Sequence, residues 1–239
     1  MNGELSLRFV NGVSLTMPEG EPMFEILDEV WEKECYWCNE FDGELTIGDI
    51  VDIGAHMGTF TLCAAKKWPG RRVIALEPST TSFHYLQKNV RDSRTENVMI
   101  VNSACGEKIG RRQMFARGNE AMNSFFTRDN YGSRFKPMDE VEMTTLEKLF
   151  TDHRVARCAF LKMDCEGAEY AVIGTASDIT LKKCARIAME YHLGMNDGAP
   201  EQIAVRLEPL GFKVKILPPY EEESGYMYAF QPDLEKIRS

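Results

Sequence analysis

The sequence predicts an α/β fold with a mostly parallel, doubly wound sheet. Between residues 46 and 105, short apolar runs alternate with segments whose apolar residues recur at helical spacing, as in βαβ units. Near the end, residues 212–217 and 226–230 form two strand patterns with no helix between them, so we expect an antiparallel C-terminal hairpin. A length of 239 residues suits one such domain with a small addition.

The first 45 residues are predicted to form an extension. Residues 5–9 and 13–17 largely alternate apolar and polar side chains, and Asn11-Gly12 between them indicates a two-residue hairpin turn. Apolar residues from Met23 to Trp31 then recur at helical spacing. We therefore assign 1–45 to a hairpin plus helix and 46–239 to the main domain.

The main domain is predicted to begin with a βαβαβ unit. Strands end at Ile53 and Leu76 and cover 98–101, with helices between them, and right-handed crossovers make these strands parallel. Residues 106–143 interrupt this alternation with short polar segments that contain Gly and Arg. They are predicted to form an inserted strand pair plus a substrate-facing loop, with a functionless surface loop as the alternative.

A glycine-containing segment, Asp52-Ile53-Gly54-Ala55-His56-Met57-Gly58, joins the first of these strands to its helix. Gly54 and Gly58 let the backbone approach a ligand, and Asp52 lies at the carboxyl end of the strand, where open parallel sheets bind ligands. Glu77 ends the next strand, from which an acid can accept hydrogen bonds from ribose hydroxyls. Together these residues predict an adenosine pocket.

The glycine spacing helps to choose between adenosine cofactors. His56 and Thr59 occupy the positions of the second and third glycines of the dinucleotide pattern G-x-G-x-x-G. The pattern D-x-G-x-x-x-G is instead typical of class I S-adenosylmethionine-dependent methyltransferases, which the chain resembles here.

Two acidic motifs follow later strands. Residues 161–169 end a strand with Asp164, Glu166 and Glu169, and residues 187–192 end another with Glu190 and His192. With Glu77-Pro78 before them, these motifs resemble the FkbM-type family of class I methyltransferases, which are mostly O-methyltransferases of sugars and polyketides. The resemblance covers about residues 49 to 192 and implies a Rossmann-like fold.

The resemblance implies S-adenosyl-L-methionine as cofactor and transfer of its methyl group to a hydroxyl of a sugar, glycan or natural product. N- or C-methylation, a nucleotide-dependent oxidoreductase and a catalytically inactive cofactor-binding module remain alternatives. The residues after the third strand would lie beside the adenine; the alternative is that they only form a turn. The expected cofactor-binding residues are Asp52, Gly54, Ala55, His56, Gly58, Thr59, Glu77, Pro78, Ser103, Ala104 and Asp164.

A sugar hydroxyl is a very weak acid, so a base that takes its proton would contribute on the order of 10²–10⁴ in rate. The catalytic candidates are Asp164, Glu166, Glu190 and His192. A structural hydrogen bond is the alternative role of His192, and Glu169 is expected in the first turn of a helix. We predict no metal, although such carboxylates could bind Mg²⁺ or Ca²⁺.

The sequence does not specify the acceptor. The segment from Asn119 to Tyr131, together with Tyr191, Met195 and Tyr220, is expected to line its site.

Composition narrows the partners and the compartment. The chain has 28 basic and 37 acidic residues, a net charge of −9, which opposes binding to nucleic acid. Seven scattered cysteines indicate a reducing cytoplasm, and Cys35-x-x-Cys38 has no matching second pair for zinc. With no leader pattern and no long apolar run, we expect a soluble, cytoplasmic protein that binds no membrane. The sequence does not indicate an oligomeric state.

Overall fold

The computed structural model describes residues 3–37, 45–117, 119–127, 135–195, 197–220 and 224–235. Its strands are β1 (Glu4–Arg8), β2 (Ser14–Pro18), β3 (Asp49–Ile53), β4 (Val73–Leu76), β5 (Val98–Val101), β6 (Ala104–Cys105), β7 (Gly110–Arg117), β8 (Asn119–Ser124), β9 (Lys136–Thr144), β10 (Cys158–Met163), β11 (Arg186–His192), β12 (Lys213–Ile216) and β13 (Ser224–Phe230). Its helices are α1 (Met23–Leu27), α2 (Thr59–Lys67), α3 (Thr80–Asp92), α4 (Leu146–Asp152), α5 (Glu169–Thr175), α6 (Asp178–Leu181), α7 (Pro200–Leu207) and α8 (Pro232–Glu235).

A seven-stranded sheet in the order β12-β13-β11-β10-β3-β4-β5 forms the centre of the molecule. Strands β11, β10, β3, β4 and β5 run parallel, whereas β13 pairs antiparallel with both β11 and β12. This confirms the predicted parallel sheet and its antiparallel C-terminal hairpin. The chain winds outward from β3 through β4 to β5 and later returns on the other side at β10. The carboxyl ends of β3 and β10 therefore border the crevice where such sheets bind ligands.

The central strands are apolar because helices cover both faces of the sheet. Every residue of β10 and β11 is buried, as expected for parallel strands that are enclosed on both sides. Leu161 belongs to a core cluster with Val172 of α5 and Ile203 of α7. Phe160 belongs to another cluster with Phe60 of α2. These two layers hold the carboxyl ends of the strands in a fixed arrangement.

The N-terminal extension contains the predicted hairpin, because β1 and β2 pair antiparallel. The predicted two-residue turn is wrong: Phe9 N donates to Val13 O across a three-residue connection, in which Gly12 adopts a positive φ of 85°. The predicted helix forms as α1 and one π-helical turn, Asp28–Glu32. Buried residues of the hairpin and α1 share a cluster with Leu62 of α2. The boundary near residue 45 stays a prediction, since 38–44, including Cys38, lie outside the described residues.

The segment after β5 forms a separate four-stranded sheet in the order β6-β9-β7-β8. The sequence predicts one strand pair in residues 106–143, but the structure has a further strand there, Lys136–Thr144. In that strand only Met143 is buried, so its sequence lacks the apolar alternation that marks a strand with one covered face. Residues 128–134, in the predicted loop, lie outside the described part of the chain. Across the described helices, we find none that is both long and apolar enough to traverse a bilayer.

Candidate active site

The loop after β3 is shaped by residues with positive φ. Gly54, His56 and Gly58 have φ values of 77°, 51° and 95°, a conformation that favours glycine. A Cβ atom on Gly54 would overlap the backbone oxygen of Asp164. Gly54 thus allows the β3 loop to lie directly against the segment after β10.

Glu77, at the end of β4, binds this loop. Its Oε2 accepts a hydrogen bond of 2.8 Å from the backbone N–H of His56, and its Oε1 accepts one of 2.8 Å from the N–H of Ser79. Burial raises the pKa of Glu77 to about 7, although the His56 imidazole and the two N–H donors oppose the shift. The carboxylate remains at the wall of a cavity, where it can accept further donors.

A cavity of about 360 Å³ follows the carboxyl edge of the central sheet, a size that suits a small-molecule site. Because the strands lie in the order β11-β10-β3-β4-β5, Glu77 and the residues after β5 border one side of it, and the acids after β10 and β11 border the other. The predicted cofactor-binding residues in its lining are Gly54, Ala55, His56, Thr59, Glu77, Pro78, Ser103, Ala104 and Asp164. The predicted catalytic residues in its lining are Asp164, Glu166 and Glu190.

Asp52 and Gly58 are not among the residues that line this cavity. Asp52 is fully buried; it accepts a hydrogen bond of 2.5 Å from Thr61 Oγ1 and lies 3.2 Å from Lys162 Nζ. Lys162 also donates a hydrogen bond of 2.6 Å to Gly54 O. Burial opposes the charge of Lys162, but Asp52 and Asp164 outweigh it and raise the lysine pKa. Asp52 is expected to bind the cofactor, but the structure places it outside the cavity lining, where its carboxylate pairs with Lys162.

The other side of the cavity is acidic. Asp164 Oδ2 accepts a hydrogen bond of 3.0 Å from Tyr36 Oη, and Glu190 Oε1 accepts one of 2.5 Å from Tyr220 Oη. Glu166 has a φ of 52°, unusual for a residue with a side chain. Burial is the largest cause that raises the pKa of Glu166 to about 8 and that of Glu190 to about 7.

His192 lies behind these acids and is 5% exposed. Its Nε2 is 3.7 Å from Glu166 Oε2 and 3.8 Å from Glu190 Oε1, and its Nδ1 is 3.3 Å from Glu169 Oε1. Burial disfavours a charged imidazole, but Glu166 and Glu169 outweigh it and hold the His192 pKa well above its usual range. As predicted, Glu169 begins α5. Its carboxylate also accepts the N–H groups of Cys165 and Gly167 at 2.7 and 3.0 Å.

Sequence reasoning missed several residues of the site. Lys162 belongs to the second motif, but its role becomes visible only through its contact with Asp52. Tyr36 and Glu29 reach the cavity from the N-terminal extension. No pattern in the sequence predicts that these two residues line the site. Burial is the main cause that raises the pKa of Glu29 to about 8.

The expected acceptor lining is found only in part. Asn123, Phe125 and Tyr220 line the cavity. Tyr191 instead donates a hydrogen bond of 2.8 Å to Leu217 O, and Met195 is buried outside the lining. Tyr131 lies outside the described residues.

The strand order, the glycine loop after β3 and the acid at the end of β4 define the fold of class I methyltransferases. Residues 52–214 match the family model of the methyltransferase FkbM domain. The chain therefore belongs to the FkbM methyltransferase family, and this membership favours a methyltransferase over the oxidoreductase alternative.

Individual proteins are similar to the chain in sequence, and solved structures are similar to it in fold. The 31-O-demethyl-FK506 methyltransferase FkbM of Streptomyces tacrolimicus is 26% identical, and the match covers 87% of this chain and 89% of that protein. The crystal structure of methyltransferase FkbM from Methylobacillus flagellatus KT has a TM-score of 0.57 at 14% identity; it matches 82% of this chain, which spans 46% of that one. M. jannaschii TYW2 in complex with AdoMet has a TM-score of 0.50 at 15% identity, over 96% and 85% of the two chains.

Proposed function

We propose that this protein transfers the methyl group of S-adenosylmethionine to a hydroxyl of a small natural product or a glycan. One observation carries the proposal: a single cavity has Glu77 on one side and the acids Asp164, Glu166 and Glu190 on the other. The name of the Streptomyces relative, a 31-O-demethyl-FK506 methyltransferase, supports oxygen as the accepting atom.

The lining fits the cofactor. Glu77 would accept hydrogen bonds from ribose hydroxyls, because its carboxylate reaches the cavity while the two backbone N–H groups hold it in place. Ser103 and Ala104 would lie beside the adenine, and the loop from Gly54 to Thr59 would hold the methionine part at the N-terminus of α2. The bound cofactor supplies an electrophilic methyl group on a cationic sulfur.

We assign the acceptor proton to Glu166. The carboxylates of Asp164 and Glu190 each already accept a tyrosine hydroxyl. Among the residues that the structure describes, no side chain or backbone group donates a hydrogen bond to the Glu166 carboxylate. His192 is a poorer candidate, because it lies behind the acids and outside the cavity lining. Once ionised, above its pKa of about 8, Glu166 is therefore free to accept a hydrogen bond, and then the proton, from an incoming hydroxyl.

The N-terminal extension would exclude water from the reaction. Ile26, Val30 and Tyr36 line the cavity, and the Tyr36 ring meets Phe60 edge-on with centroids 5.6 Å apart. An apolar wall next to charged groups strengthens the electrostatic interactions inside the site.

The direct test is incubation of the protein with S-adenosylmethionine and a panel of hydroxylated macrolactones and sugars. We expect mass spectrometry to show the gain of one methyl group and NMR to place that group on oxygen. A methyl group found on nitrogen or carbon would contradict the choice of atom. Failure of S-adenosylhomocysteine to bind in calorimetry would contradict the proposal as a whole.

We predict that S-adenosylhomocysteine binds more tightly as the pH rises to about 7, because the Glu77 pKa is raised to about 7 and only the ionised carboxylate accepts both ribose hydroxyls. Below that pH, the Kd should increase by up to about tenfold per pH unit. The free protein should respond in the opposite sense: a raised pKa stabilises the fold at low pH, and this stabilisation is lost as the pH rises through about 7. Calorimetry at several pH values measures the effect on binding.

The matched control is Glu77→Gln, which cannot titrate. Its Kd should be weaker and nearly independent of pH over this range. If Glu77→Gln keeps the pH dependence of the wild type, another group causes it.

A further inference from the structure

We propose that Asp164, Glu190 and His192 bind a divalent metal ion that accepts mixed nitrogen and oxygen ligands, such as Mn²⁺. One ligand atom from each of the three residues lies within 4.8 Å of the other two. Ligands at about 2.1 Å from one ion stand up to roughly 4 Å apart, so a small inward movement of these side chains completes the site. This revises the expectation from sequence that no metal binds.

The position of the His192 ring is the independent observation that points to a cation. The ring is 5% exposed, and its Nε2 faces carboxylate oxygens of Glu166 and Glu190, at 3.7 and 3.8 Å. These distances exceed a hydrogen bond, and within the described part of the chain Nε2 has no hydrogen-bond partner. An imidazole nitrogen that faces two acids at ion-pair distance, with no hydrogen bond to either, leaves room for an ion between them.

Each of the three ligands is held by a second residue, as is usual around bound metals. Glu169 Oε1 lies 3.3 Å from His192 Nδ1, an ion-pair distance at which its charge holds the ring by the nitrogen that does not face Glu166 and Glu190. Tyr36 donates to Asp164 and Tyr220 to Glu190, at 3.0 and 2.5 Å. The ligands are thus oriented by residues from three separate parts of the chain.

The charge of the cluster favours a cation. Asp164, Glu166 and Glu190 all line the same cavity, and Lys162 Nζ, 3.8 Å from Asp164, is also bound to Asp52 at 3.2 Å. Glu166, Glu169 and Glu190 share the single imidazole of His192 as a further counter-charge, and buried carboxylates without sufficient counter-charge are costly. A divalent ion would supply that charge without adding volume to the site.

The role of the ion, though not its binding, rests on the proposed function. Bound beside Glu166, the ion would coordinate the acceptor hydroxyl and weaken its O–H bond. The proton would then pass to the Glu166 carboxylate.

The test is titration of MnCl₂ into EDTA-treated, desalted protein, followed by calorimetry and by the electron paramagnetic resonance signal of free Mn²⁺. We expect one ion per chain. His192→Asn and Glu190→Gln should each weaken Mn²⁺ binding by at least about tenfold. His84→Asn, at an exposed position of α3, is the matched control and should bind as the wild type does. Circular dichroism establishes that each variant is folded, and Glu190→Gln carries the test if His192→Asn is not.

S-adenosylhomocysteine is titrated into the same samples. If it fails to bind while Mn²⁺ binds and the variants lose the ion, the proposed function is refuted and the metal site stands. The metal site is refuted if the wild type binds no Mn²⁺, Zn²⁺ or Ca²⁺ up to about 1 mM, a weak limit for protein sites. It is also refuted if both variants bind Mn²⁺ as tightly as His84→Asn.

Discussion

Lys162→Met should lower the free energy of unfolding by about 3–5 kcal/mol, the usual loss when one partner of a buried ion pair is removed. Lys162 and Asp52 are 3% and 0% exposed, and their charged atoms lie 3.2 Å apart. Methionine fills a similar volume but leaves the Asp52 carboxylate without its counter-ion. It also leaves Gly54 O without its hydrogen bond from Nζ. Urea denaturation followed by circular dichroism measures the loss.

Two variants serve as controls for Lys162→Met. Lys148→Met breaks an exposed pair with Asp152 on α4 and should cost less than about 1 kcal/mol. The double variant Lys162→Met/Asp52→Asn removes both charges and should recover part of the stability. A loss of less than about 1 kcal/mol for Lys162→Met itself would show that Asp52 does not depend on this lysine.

Glu166→Gln should lower kcat by a factor on the order of 10²–10⁴, the usual contribution of a general base. The amide keeps the shape of the side chain but cannot take the acceptor proton. The Kd of S-adenosylhomocysteine should change little, because Glu166 and Glu77 line different sides of the cavity. Steady-state kinetics with an acceptor found in the panel, together with calorimetry, separates these two effects.

The matched control is Glu208→Gln, at an exposed position after α7, which should leave kcat unchanged. Thermal unfolding of Glu166→Gln establishes that its fold is retained. If a folded Glu166→Gln turns over at the rate of the wild type, the proton goes elsewhere, and Asp164→Asn becomes the next variant to measure.

The sequence predicted the positions of Glu77 and the β3 loop correctly, but not that of Asp52. Glu77 and the β3 loop were predicted from spacing alone, and the structure places both at the cavity. Asp52 was expected beside the ligand because it ends the same strand. In the structure, its carboxylate pairs instead with Lys162 of the neighbouring strand. Residue spacing within one strand-loop-helix unit does not show the direction in which a side chain points.

The inserted sheet shows the same limit. Residues 106–143 contain little apolar alternation, so the strand Lys136–Thr144 was not predicted. In this segment Ser124 Oγ donates a hydrogen bond of 2.7 Å to Glu166 O. This hydrogen bond stabilises the positive φ of Glu166. It forms only because folding brings two segments that are distant in sequence into contact.

The sequence by itself determined the fold class, the family and the carboxyl edge at which the site forms, because strand period, glycine positions and strand-end acids are local properties. Only the tertiary structure decided that Tyr36 reaches Asp164 across 128 positions of the chain, that Asp52 faces Lys162 and that His192 points at two acids. The physical reason is that hydrogen bonds and charge pairs act over a few ångströms in space. The folding of the sheet, rather than separation along the chain, sets those distances.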